Sequence, residues 1–447
     1  METDAKTPSG QAAAAREARA GHGSAGDAAS RPALACHEVV IVGGGLVGAS
    51  LAIALERVGV DVAMVEAAPA GSLPAVFDER NLSFAEATVN ALSALGVMQR
   101  LRLPPAPIRR IHASRDGDFG RVVLEASEYG RDRFGQVVVA SDFGQALESR
   151  LAELRGFTRY RPARFLGFDG DGVDGAEAGG AEGGVRLLRI ADAGGERRIA
   201  ARLVVAADGT RSGVRAALGI DAGEHDYGQA LFVARLRAAR APDGTAWERF
   251  GANGPTALLP RGDGHYGVVH GVASDEAEAV AALDDAAWLA RLQRAFGWRA
   301  GAFLAIGPRS AHPALRVVAD RCIAPRAVLV GNAAQTLHPV GAQGFNLGLR
   351  DALTLAELIG DGAGGDPGAD ALLQAYALRR APDRERTLAF SDGLARVTAG
   401  DEPLLRPLRS LGLAAVQRSP TLQARLVGGA MGYRGDVPRL CRGGVGA

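Results

Sequence analysis

VVIVGGGLVG, residues 39–48, is the stretch that decides the fold. Its four β-branched residues predict a buried strand, and the mostly apolar run from Ala49 to Val58 predicts a helix after it. Between them lies the pattern G-x-G-x-x-G, at Gly43, Gly45 and Gly48. The first glycine makes a tight turn, the second lets the backbone approach a pyrophosphate, and the third allows close packing of helix on strand. Because the helix N-terminus also offers free N–H groups, the stretch predicts dinucleotide binding.

A second strand-like run supports this prediction. It covers Val60–Val65 and ends at Glu66, about 20 residues after the first glycine of the motif, which is the spacing expected of a ribose-binding acid. A carboxylate there accepts hydrogen bonds from an adenosine ribose and repels a 2′-phosphate. Glu66 therefore favours a dinucleotide without that phosphate at this position. The alternative is that the motif is only a glycine-rich turn in the core.

Further strand signals predict two kinds of sheet. Short apolar runs followed by turns indicate a parallel sheet; they are Val39–Val42, Val60–Val65, Arg202–Ala206 and Ala327–Val330. The stretch between residues 231 and 272 alternates as antiparallel strands do; its runs are Ala230–Leu236, Trp247–Phe250, Thr256–Leu259 and Tyr266–His270. We therefore expect an α/β fold in which a Rossmann-like domain carries an inserted antiparallel-sheet domain and C-terminal helices.

These signals divide the chain into four regions. Residues 1–36 are rich in Ala, Gly and Ser and lack the continuous apolar segment of a secretory signal, so we predict a disordered extension. The dinucleotide-binding domain is predicted to be discontinuous, at residues 37–110, 140–222 and 320–362. The substrate domain is predicted at residues 111–139 and 223–319. A C-terminal helical region is predicted at residues 368–432.

The composition excludes several classes of function. The 447 residues are 47% apolar, which suggests two or three domains. With 51 basic against 50 acidic residues, the chain lacks the charge excess that a nucleic-acid partner would favour. Its three cysteines, Cys36, Cys322 and Cys441, lie far apart in the sequence and form neither a metal-ligand spacing nor a disulfide framework. We expect no metal site, and the cysteines fit a reducing cytoplasm.

Two later motifs indicate which dinucleotide binds. LVVAADG, residues 203–209, ends an apolar strand at Asp208 and Gly209. VLVGNAAQTLHP, residues 328–339, is followed by GAQGFNLG, residues 341–348, and then by a predicted helix. In this order, the three motifs resemble those of the flavoprotein aromatic hydroxylases, the group A monooxygenases with the fold of p-hydroxybenzoate hydroxylase. The resemblance extends from about residue 38 to about residue 432.

The resemblance implies FAD as cofactor and NAD(P)H as co-substrate. The residues expected to bind the cofactor are Gly43, Gly45, Gly48, Glu66, Arg80, Gln136, Asp208, Gly209, Asn332, Gly344, Phe345 and Asn346, with Gln145 as a further candidate. Asn332 stands where the family usually has Asp for the ribityl chain. The N–H groups at the start of the helix after residue 341 would face the flavin edge where negative charge collects. Alternatively, Arg80 is a solvated charge and both glutamines are surface residues.

The implied reaction is the insertion of one oxygen atom from O2 into a phenol through a flavin C4a-hydroperoxide. Pro339 would wall the reactive edge of the flavin ring. A base that ionises the phenol would assist the attack, and the candidates are His270 and His338. A structural hydrogen-bonding role is the alternative for His338. The resemblance implies neither a protein nucleophile nor a metal.

Several segments resemble the ubiquinone-pathway branch of the family, and most of all the 2-polyprenyl-6-methoxyphenol hydroxylases. They are residues 331–339, 344–348, 247–250, 254–255, 258–260, 295–298 and 309–313. The implied partners are a phenol with a polyprenyl tail and O2, and contact with the inner membrane or with a ubiquinone-biosynthesis complex stays open. One departure concerns Ala342, because the family usually reads Ala-Gly-Gln-Gly where this chain reads Gly-Ala-Gln-Gly at residues 341–344.

Two alternatives remain at this point. The same fold serves other flavin hydroxylases, epoxidases and isoprenoid reductases, so the reaction could differ while the cofactor stays the same. A flavin-binding scaffold subunit of a quinone-synthesis complex is the non-enzymatic alternative. The complete set of FAD motifs argues against the scaffold.

Overall fold

The computed structural model describes residues 34–75, 78–170, 184–362, 364–398 and 405–443. Nearly all of the extension predicted at residues 1–36 lies outside the described residues. From Ala35 onward the chain forms one unit. It contains three β-sheets and ten α-helices within the described residues.

The strands and helices have the following bounds. The strands are β1 (Ala35–Val42), β2 (Val62–Val65), β3 (Asn81–Ala85), β4 (Ala106–Ile108), β5 (Arg110–Arg115), β6 (Arg121–Glu125), β7 (Gly135–Val139), β8 (Phe157–Tyr160), β9 (Arg164–Phe168), β10 (Arg186–Asp192), β11 (Gly195–Ala206), β12 (Ala222–Ala238), β13 (Thr245–Gly251), β14 (Gly254–Pro260), β15 (Tyr266–Ala273), β16 (Phe303–Ile306), β17 (Ser310–Ala319), β18 (Ile323–Ala324), β19 (Ala327–Leu329) and β20 (Gln335–Thr336). The helices are α1 (Leu46–Glu56), α2 (Glu86–Ala94), α3 (Ala140–Leu151), α4 (Gly213–Ala217), α5 (Ala277–Ala281), α6 (Asp285–Phe296), α7 (Gln343–Asp361), α8 (Asp370–Thr398), α9 (Leu405–Arg418) and α10 (Pro420–Ala430).

The first sheet contains the parallel strands that the sequence predicts, β19, β11, β1 and β2, together with the parallel strand β8, and is extended by antiparallel strands. Its main strands run in the order β18-β19-β11-β1-β2-β8, and β1 pairs in parallel with both β11 and β2. Val39 and Ile41 of β1 pack into the core under α1 and α7, whereas Val40 and Val42 pack on the opposite face against α4 and β10. Because both faces are buried, the strand reads as an unbroken apolar run.

The second sheet is the predicted antiparallel one. It has nine strands, with the main order β20-β17-β12-β15-β14-β13-β5-β6, and β16 pairs with β12. Only β13 and β5 pair in parallel among these neighbours. One face is covered by α6, whose fully buried Trp288 packs on Phe232. The opposite face meets the segment after the third motif, where Phe250 contacts Val340.

A third, three-stranded sheet has the order β3-β7-β4. Consequently the predicted substrate segment at residues 111–139 contributes to two sheets, since β5 and β6 join the nine-stranded sheet. The domain boundaries stay predictions. At the end of the chain, α9 and α10 pack beside β6 and α8 follows α7. Within the described ranges, no helix combines the length and the apolar character needed to span a bilayer.

Candidate active site

The first glycine motif forms the turn between β1 and α1. Gly43 has φ +106°, and a Cβ there would lie 2.5 Å from the carbonyl oxygen of Ala207. A Cβ on Gly48 would overlap the carbonyl oxygen of Gly43. Gly45 caps α1 with φ −72°, a conformation open to any residue. The fold therefore requires glycine at 43 and 48, whereas at Gly45 the backbone conformation does not.

Glu66 closes this turn from the end of β2. Its Oε2 accepts a hydrogen bond from the Gly44 N–H at 2.6 Å, and its Oε1 accepts one from the Ala68 N–H at 2.6 Å. The side chain is half-buried. The carboxylate thus lies beside the glycine turn at the carboxyl end of the strand, where the sequence predicts a ribose-binding acid.

The second motif is fastened to the third. Asp208 accepts hydrogen bonds from the Ser212 hydroxyl at 2.5 Å and the Val214 N–H at 3.0 Å, so it holds the start of α4. The buried guanidinium of Arg215 donates to the carbonyl oxygens of Ala333 and Thr210, at 2.9 and 3.0 Å. Gly209 follows Asp208 with φ +86°, and a Cβ on it would meet no other atom within 4 Å. The loops after β11 and β19 therefore form one unit.

The third motif packs against the first. Gly331 has φ +58°, and a Cβ there would lie 2.9 Å from a methyl group of Val47. A Cβ on Gly348 would lie 2.9 Å from Val47 and from Gly331. These small residues bring the start of α1 and the start of α7 together. Asn332 is exposed beside this junction. Together, these contacts bring all three motifs to one edge of the sheet.

The turn before α7 keeps a left-handed backbone without its usual glycine. Gly341 has φ +73° and Ala342, which caps α7, has φ +50°. A Cβ on Gly344 would meet no other atom within 4 Å. The departure from the family pattern at Ala342 is therefore accommodated by backbone strain, while open space lies beside the first turn of the helix.

Asn346 and Phe345 anchor that first turn. The Asn346 Oδ1 accepts from the Ala85 N–H at 2.9 Å and the Thr88 hydroxyl at 2.7 Å. Its Nδ2 donates to the carbonyl oxygens of Ser83 and Ala342, at 3.0 and 2.8 Å.

The Phe345 ring packs on Phe84 and Phe143, with ring centroids 5.2 and 5.5 Å away. The side chains of residues 345 and 346 therefore hold the helix in place. What remains for a ligand at this end of α7 is its backbone N–H groups.

His338 has the geometry of a structural histidine. Its ring is 2% exposed, and its Nδ1 accepts a hydrogen bond from the Val340 N–H at 3.1 Å. The proton on Nε2 is therefore donated to the Gln229 Oε1, 3.2 Å away. Burial lowers the pKa of His338 to about 4. With both nitrogens engaged in a neutral ring, this arrangement favours the structural alternative over the base. Pro339 follows, exposed.

His270 lies on the opposite face of the nine-stranded sheet. Its ring packs on Trp288 of α6 at 5.7 Å, and its Nδ1 lies 2.9 Å from the Thr256 hydroxyl. Arg291 of α6 donates to its Nε2 at 3.4 Å. Burial, together with the charge of Arg291, lowers the pKa of His270 to about 4. The structure does not bring the two histidine candidates together.

Arg80, Gln136 and Gln145 lie around the third sheet. Arg80 pairs with Asp78 at 2.8 Å, and its carbonyl oxygen accepts the N–H of Ala140 at the start of α3. Gln136 lies on β7 and Gln145 on α3, and the side-chain oxygen of each is buried without a hydrogen-bond partner among the described residues. Buried acceptors of this kind are expected to be satisfied by something, and a bound ligand is one answer.

Comparison with known proteins identifies the family. A family model described as an FAD binding domain matches residues 37–391. The chain belongs to the FAD-dependent aromatic hydroxylases. It is 35% identical over 412 residues to ubiquinone hydroxylase UbiL of Rhodospirillum rubrum, covering 91% of this chain and 92% of that protein. It is 29% identical to the 3-demethoxyubiquinol 3-hydroxylase of Escherichia coli, covering 88% and 98%.

Solved structures agree on the fold. The p-nitrophenol 4-monooxygenase PnpA of Pseudomonas putida superposes with a TM-score of 0.73 at 18% identity, over 90% of this chain and 99% of that one. PqsL of Pseudomonas aeruginosa, a probable FAD-dependent monooxygenase, has a TM-score of 0.69 at 22% identity, over 85% and 100%. The predicted fold class is confirmed, and the chain is an FAD- and NAD(P)H-dependent monooxygenase.

The residues present fit FAD. The turn at Gly43 and Gly48 has no room for side chains, as a backbone that approaches a pyrophosphate requires. The start of α7 presents N–H groups beside open space at Gly344. The unsatisfied acceptors of Gln136 and Gln145 are available to the donors of a flavin or ribityl chain. The individual cofactor contacts stay predictions.

A buried ion network supports this site, and reasoning from the sequence missed it. Arg380 on α8 donates to Asp351 on α7 at 2.8 Å and to Asp383 at 2.7 Å, and the Arg380 and Asp351 side chains are each 3% exposed. Asp351 also accepts from the Gln335 amide at 2.6 Å, and Arg350 pairs with Asp383 at 2.7 Å. The network joins the third motif to two helices. No spacing in the sequence marks these charges as buried.

Proposed function

We propose that this monooxygenase hydroxylates the aromatic ring of a polyprenyl phenol in ubiquinone biosynthesis, with 2-polyprenyl-6-methoxyphenol as its substrate. The observation that carries the proposal is the 35% identity, over nearly the whole length of both chains, to a ubiquinone hydroxylase. Several segments of the substrate sheet also resemble that branch, including residues 247–250.

Bound FAD would supply the redox chemistry that couples oxidation of NAD(P)H to transfer of one atom of O2 to the ring. The chain's own residues hold and shield the reactants. The N–H groups at the start of α7 would stabilise negative charge at the pyrimidine edge of the flavin. The contact between Phe250 and Val340 closes the sheet against the third motif and would keep water away from the reacting ring.

Apolar side chains suit the polyprenyl tail. Beyond Phe250 on the same sheet face, a second apolar cluster joins the sheet to α10. Its buried members include Ala246 of β13, and Val427 and Met431 at the end of the chain. An isoprenoid chain would be accommodated between the sheet and the C-terminal helices. Its binding there would replace apolar contacts with other apolar contacts and would bury no unpaired polar group.

The proposed substrate is tested by a mass-spectrometric profile of quinone lipids from cells that lack this protein. We expect a 2-polyprenyl-6-methoxyphenol to accumulate and ubiquinone to fall. Accumulation of a demethoxyubiquinol instead would favour the second candidate, the reaction named for the Escherichia coli relative. An unchanged ubiquinone pool, with no accumulated phenol, would contradict the pathway assignment.

The C-terminal surface suggests contact with an anionic membrane, from which a prenylated substrate would be drawn. We define the α9–α10 surface by its exposed leucines Leu408, Leu411 and Leu422 and its exposed arginines Arg418 and Arg425. The leucine side chains are 65%, 58% and 41% exposed. Residues 405–435 contain five arginines and no acidic residue. Apolar side chains among basic ones are the pattern of interfacial helices.

Vesicle sedimentation tests this contact. The FAD-loaded protein is expected to bind vesicles that contain phosphatidylglycerol, and to bind phosphatidylcholine vesicles much less. Leu408→Asn combined with Leu411→Asn should weaken binding several-fold, and raised salt should weaken it further. Leu378→Asn is the matched control, since Leu378 on α8 is 78% exposed outside this surface. Equal binding by both variants would contradict the assigned surface.

A further inference from the structure

Glu248 lies on the face of the nine-stranded sheet that meets the third motif. Side chains alternate along β13, and its two odd-numbered neighbours face α6. Trp247 packs on Phe296, with ring centroids 6.0 Å apart, and the Arg249 Nε donates to the carbonyl oxygen of Ala295 at 3.0 Å. Glu248 therefore points to the opposite face.

Small residues flank the carboxyl group. In the sheet register, Glu248 lies between Ala113 on β5 and Ala257 on β14. These alanines leave room beside the longer glutamate side chain. Two residues along the same face, Phe250 contacts Val340 after the third motif. The carboxyl group thus belongs to the wall of the site that the Proposed function assigns to the phenol.

Ala246 lies on the same face of β13, two residues before Glu248. It packs in the cluster that includes Val427 and Met431 of the C-terminal region. Glu248 consequently lies between two apolar clusters, one at the flavin loop and one at the surface suited to a prenyl tail. A phenol head group attached to such a tail would reach this position with its hydroxyl near the carboxyl group.

The carboxyl group of Glu248 has neither a hydrogen-bond nor an ion-pair partner in the part of the chain that the structure describes, although its backbone is paired with β5 and β14. An unpaired buried carboxylate is costly, so an apolar residue would stabilise the fold better at this position. Glu248 keeps some accessible surface, as a group that receives a ligand must.

Charged groups on the neighbouring elements are engaged elsewhere. Arg115 of β5 lies 3.7 Å from Asp118, and Arg409 of α9 lies 3.6 Å from the same carboxylate. On α8, Asp392 accepts from the Tyr227 hydroxyl and pairs with Arg396 at 2.9 Å. Because these charges are paired with one another, burial is the cause that raises the pKa of Glu248 to about 7.

We propose that Glu248 is the base that accepts the proton of the phenol hydroxyl during ring hydroxylation. As the ring carbon bonds to the incoming oxygen, the O–O bond breaks and its electron pair leaves on the other oxygen atom, which is released as water after taking up protons. In the same step the phenol O–H bond breaks and its electron pair forms a ring C=O bond. The proton passes to the carboxylate. Loss of the ring C–H proton then restores aromaticity, and the C=O oxygen regains a proton. Overall, O2, NAD(P)H and a proton are consumed, and water and NAD(P)+ leave with the hydroxylated ring.

A base works best when its pKa lies near the operating pH. The wild-type kcat/KM for the phenol should therefore rise with pH to a plateau above about pH 7. Glu248→Gln should lower the plateau by about 10²–10⁴-fold and remove this dependence on pH. Glu224→Gln, at an exposed position on β12, is the matched control. FAD content equal to wild type shows that a slow variant is folded. A variant with the wild-type rate and pH profile would overturn the proposal.

A binding measurement keeps this test separate from the choice of substrate. The probe is 4-nitrophenol, whose absorbance reports its ionisation when it is bound to the oxidised holoenzyme. Because an ionised carboxylate disfavours a neighbouring phenolate, the bound probe should ionise at a higher pH in the wild type than in Glu248→Gln. Equal ionisation of the bound probe in both proteins would overturn the role of Glu248. Failure of the lipid profile alone would overturn only the substrate.

Discussion

At the scale of single residues, Ala342 shows how the chain tolerates a departure from its family's pattern. Its φ of +50° places an L-residue in the left-handed region, which costs about 1–2 kcal/mol relative to the right-handed conformation. Ala342→Gly should remove this strain, and the greater freedom of glycine in the unfolded chain offsets part of the gain. We expect the free energy of unfolding to rise by about 0.5–1 kcal/mol. Thermal unfolding of the two proteins measures the change.

The control for this prediction is Ala415→Gly, on the exposed face of α9. There the alanine has a helical backbone, so glycine should destabilise the protein by up to about 1 kcal/mol. A loss of stability in both variants would show that the backbone at Ala342 is not strained.

Glu248 should make stability depend on pH. Burial raises its pKa from the unfolded value of 4.5 to about 7, so between these values the folded protein binds more protons than the unfolded chain. Its contribution to stability is complete below about pH 4.5 and is lost as the pH rises through 7. Glu248→Gln should therefore be more stable than the wild type at pH 8, by at most about 3 kcal/mol, and equally stable near pH 4.5.

The measurement is the difference in unfolding temperature between the two proteins, followed across this pH range. Glu224→Gln should show no such crossover, because Glu224 is exposed. A difference in unfolding temperature that stays constant at all pH values would indicate that Glu248 ionises over the same pH range in the folded and the unfolded protein.

At the scale of elements, a substitution in the turn from β1 into α1 can abolish cofactor binding without preventing folding. Gly45 has a backbone conformation that valine also adopts, so Gly45→Val should fold. The side chain would meet the pyrophosphate, and FAD should be lost. We expect a colourless, folded protein by absorbance and circular dichroism. A fully yellow variant would contradict the assignment of this turn.

The ion network between α7 and α8 should be important for stability. Arg380→Ala leaves Asp351 and Asp383 buried with too few partners, and such losses cost about 3–5 kcal/mol. Arg386→Ala, at an exposed position of the same helix, should cost no more than about 0.5 kcal/mol. Chemical denaturation compares the two variants. Equally small losses of stability in both variants would mean that the ion network does not stabilise the packing of the helices against the third motif.

At the scale of the whole molecule, the sequence predicts both sheets because burial dictates the pattern of each. The run at Val39–Val42 is apolar throughout, since both of its faces are covered, whereas the strands between residues 231 and 272 alternate. Motifs at residues 43, 208 and 331 were predicted to share a site, and parallel strands place their carboxyl ends at one edge. Local sequence patterns were therefore sufficient to predict the two main sheets.

The remaining features depend on long-range packing. His270 and His338 look equivalent in the sequence, and only strand register places them on opposite sides of the sheet. Asn346 finds its partners on β3 and α2, more than 250 residues earlier. Glu248 lies in a segment that the sequence predicts as a strand and relates to the family, but no short spacing shows that a glutamate will be buried without a side-chain partner.

The proposed reaction inserts one atom of O2 into a phenol. The direct measurement is turnover of 2-polyprenyl-6-methoxyphenol by the purified FAD-loaded protein with NADPH under 18O2, followed by mass spectrometry of the lipid. We expect a product that carries one 18O atom on the ring, formed with one NADPH consumed per product. NADPH oxidation that yields only hydrogen peroxide, or a product that takes its oxygen from water, would contradict it.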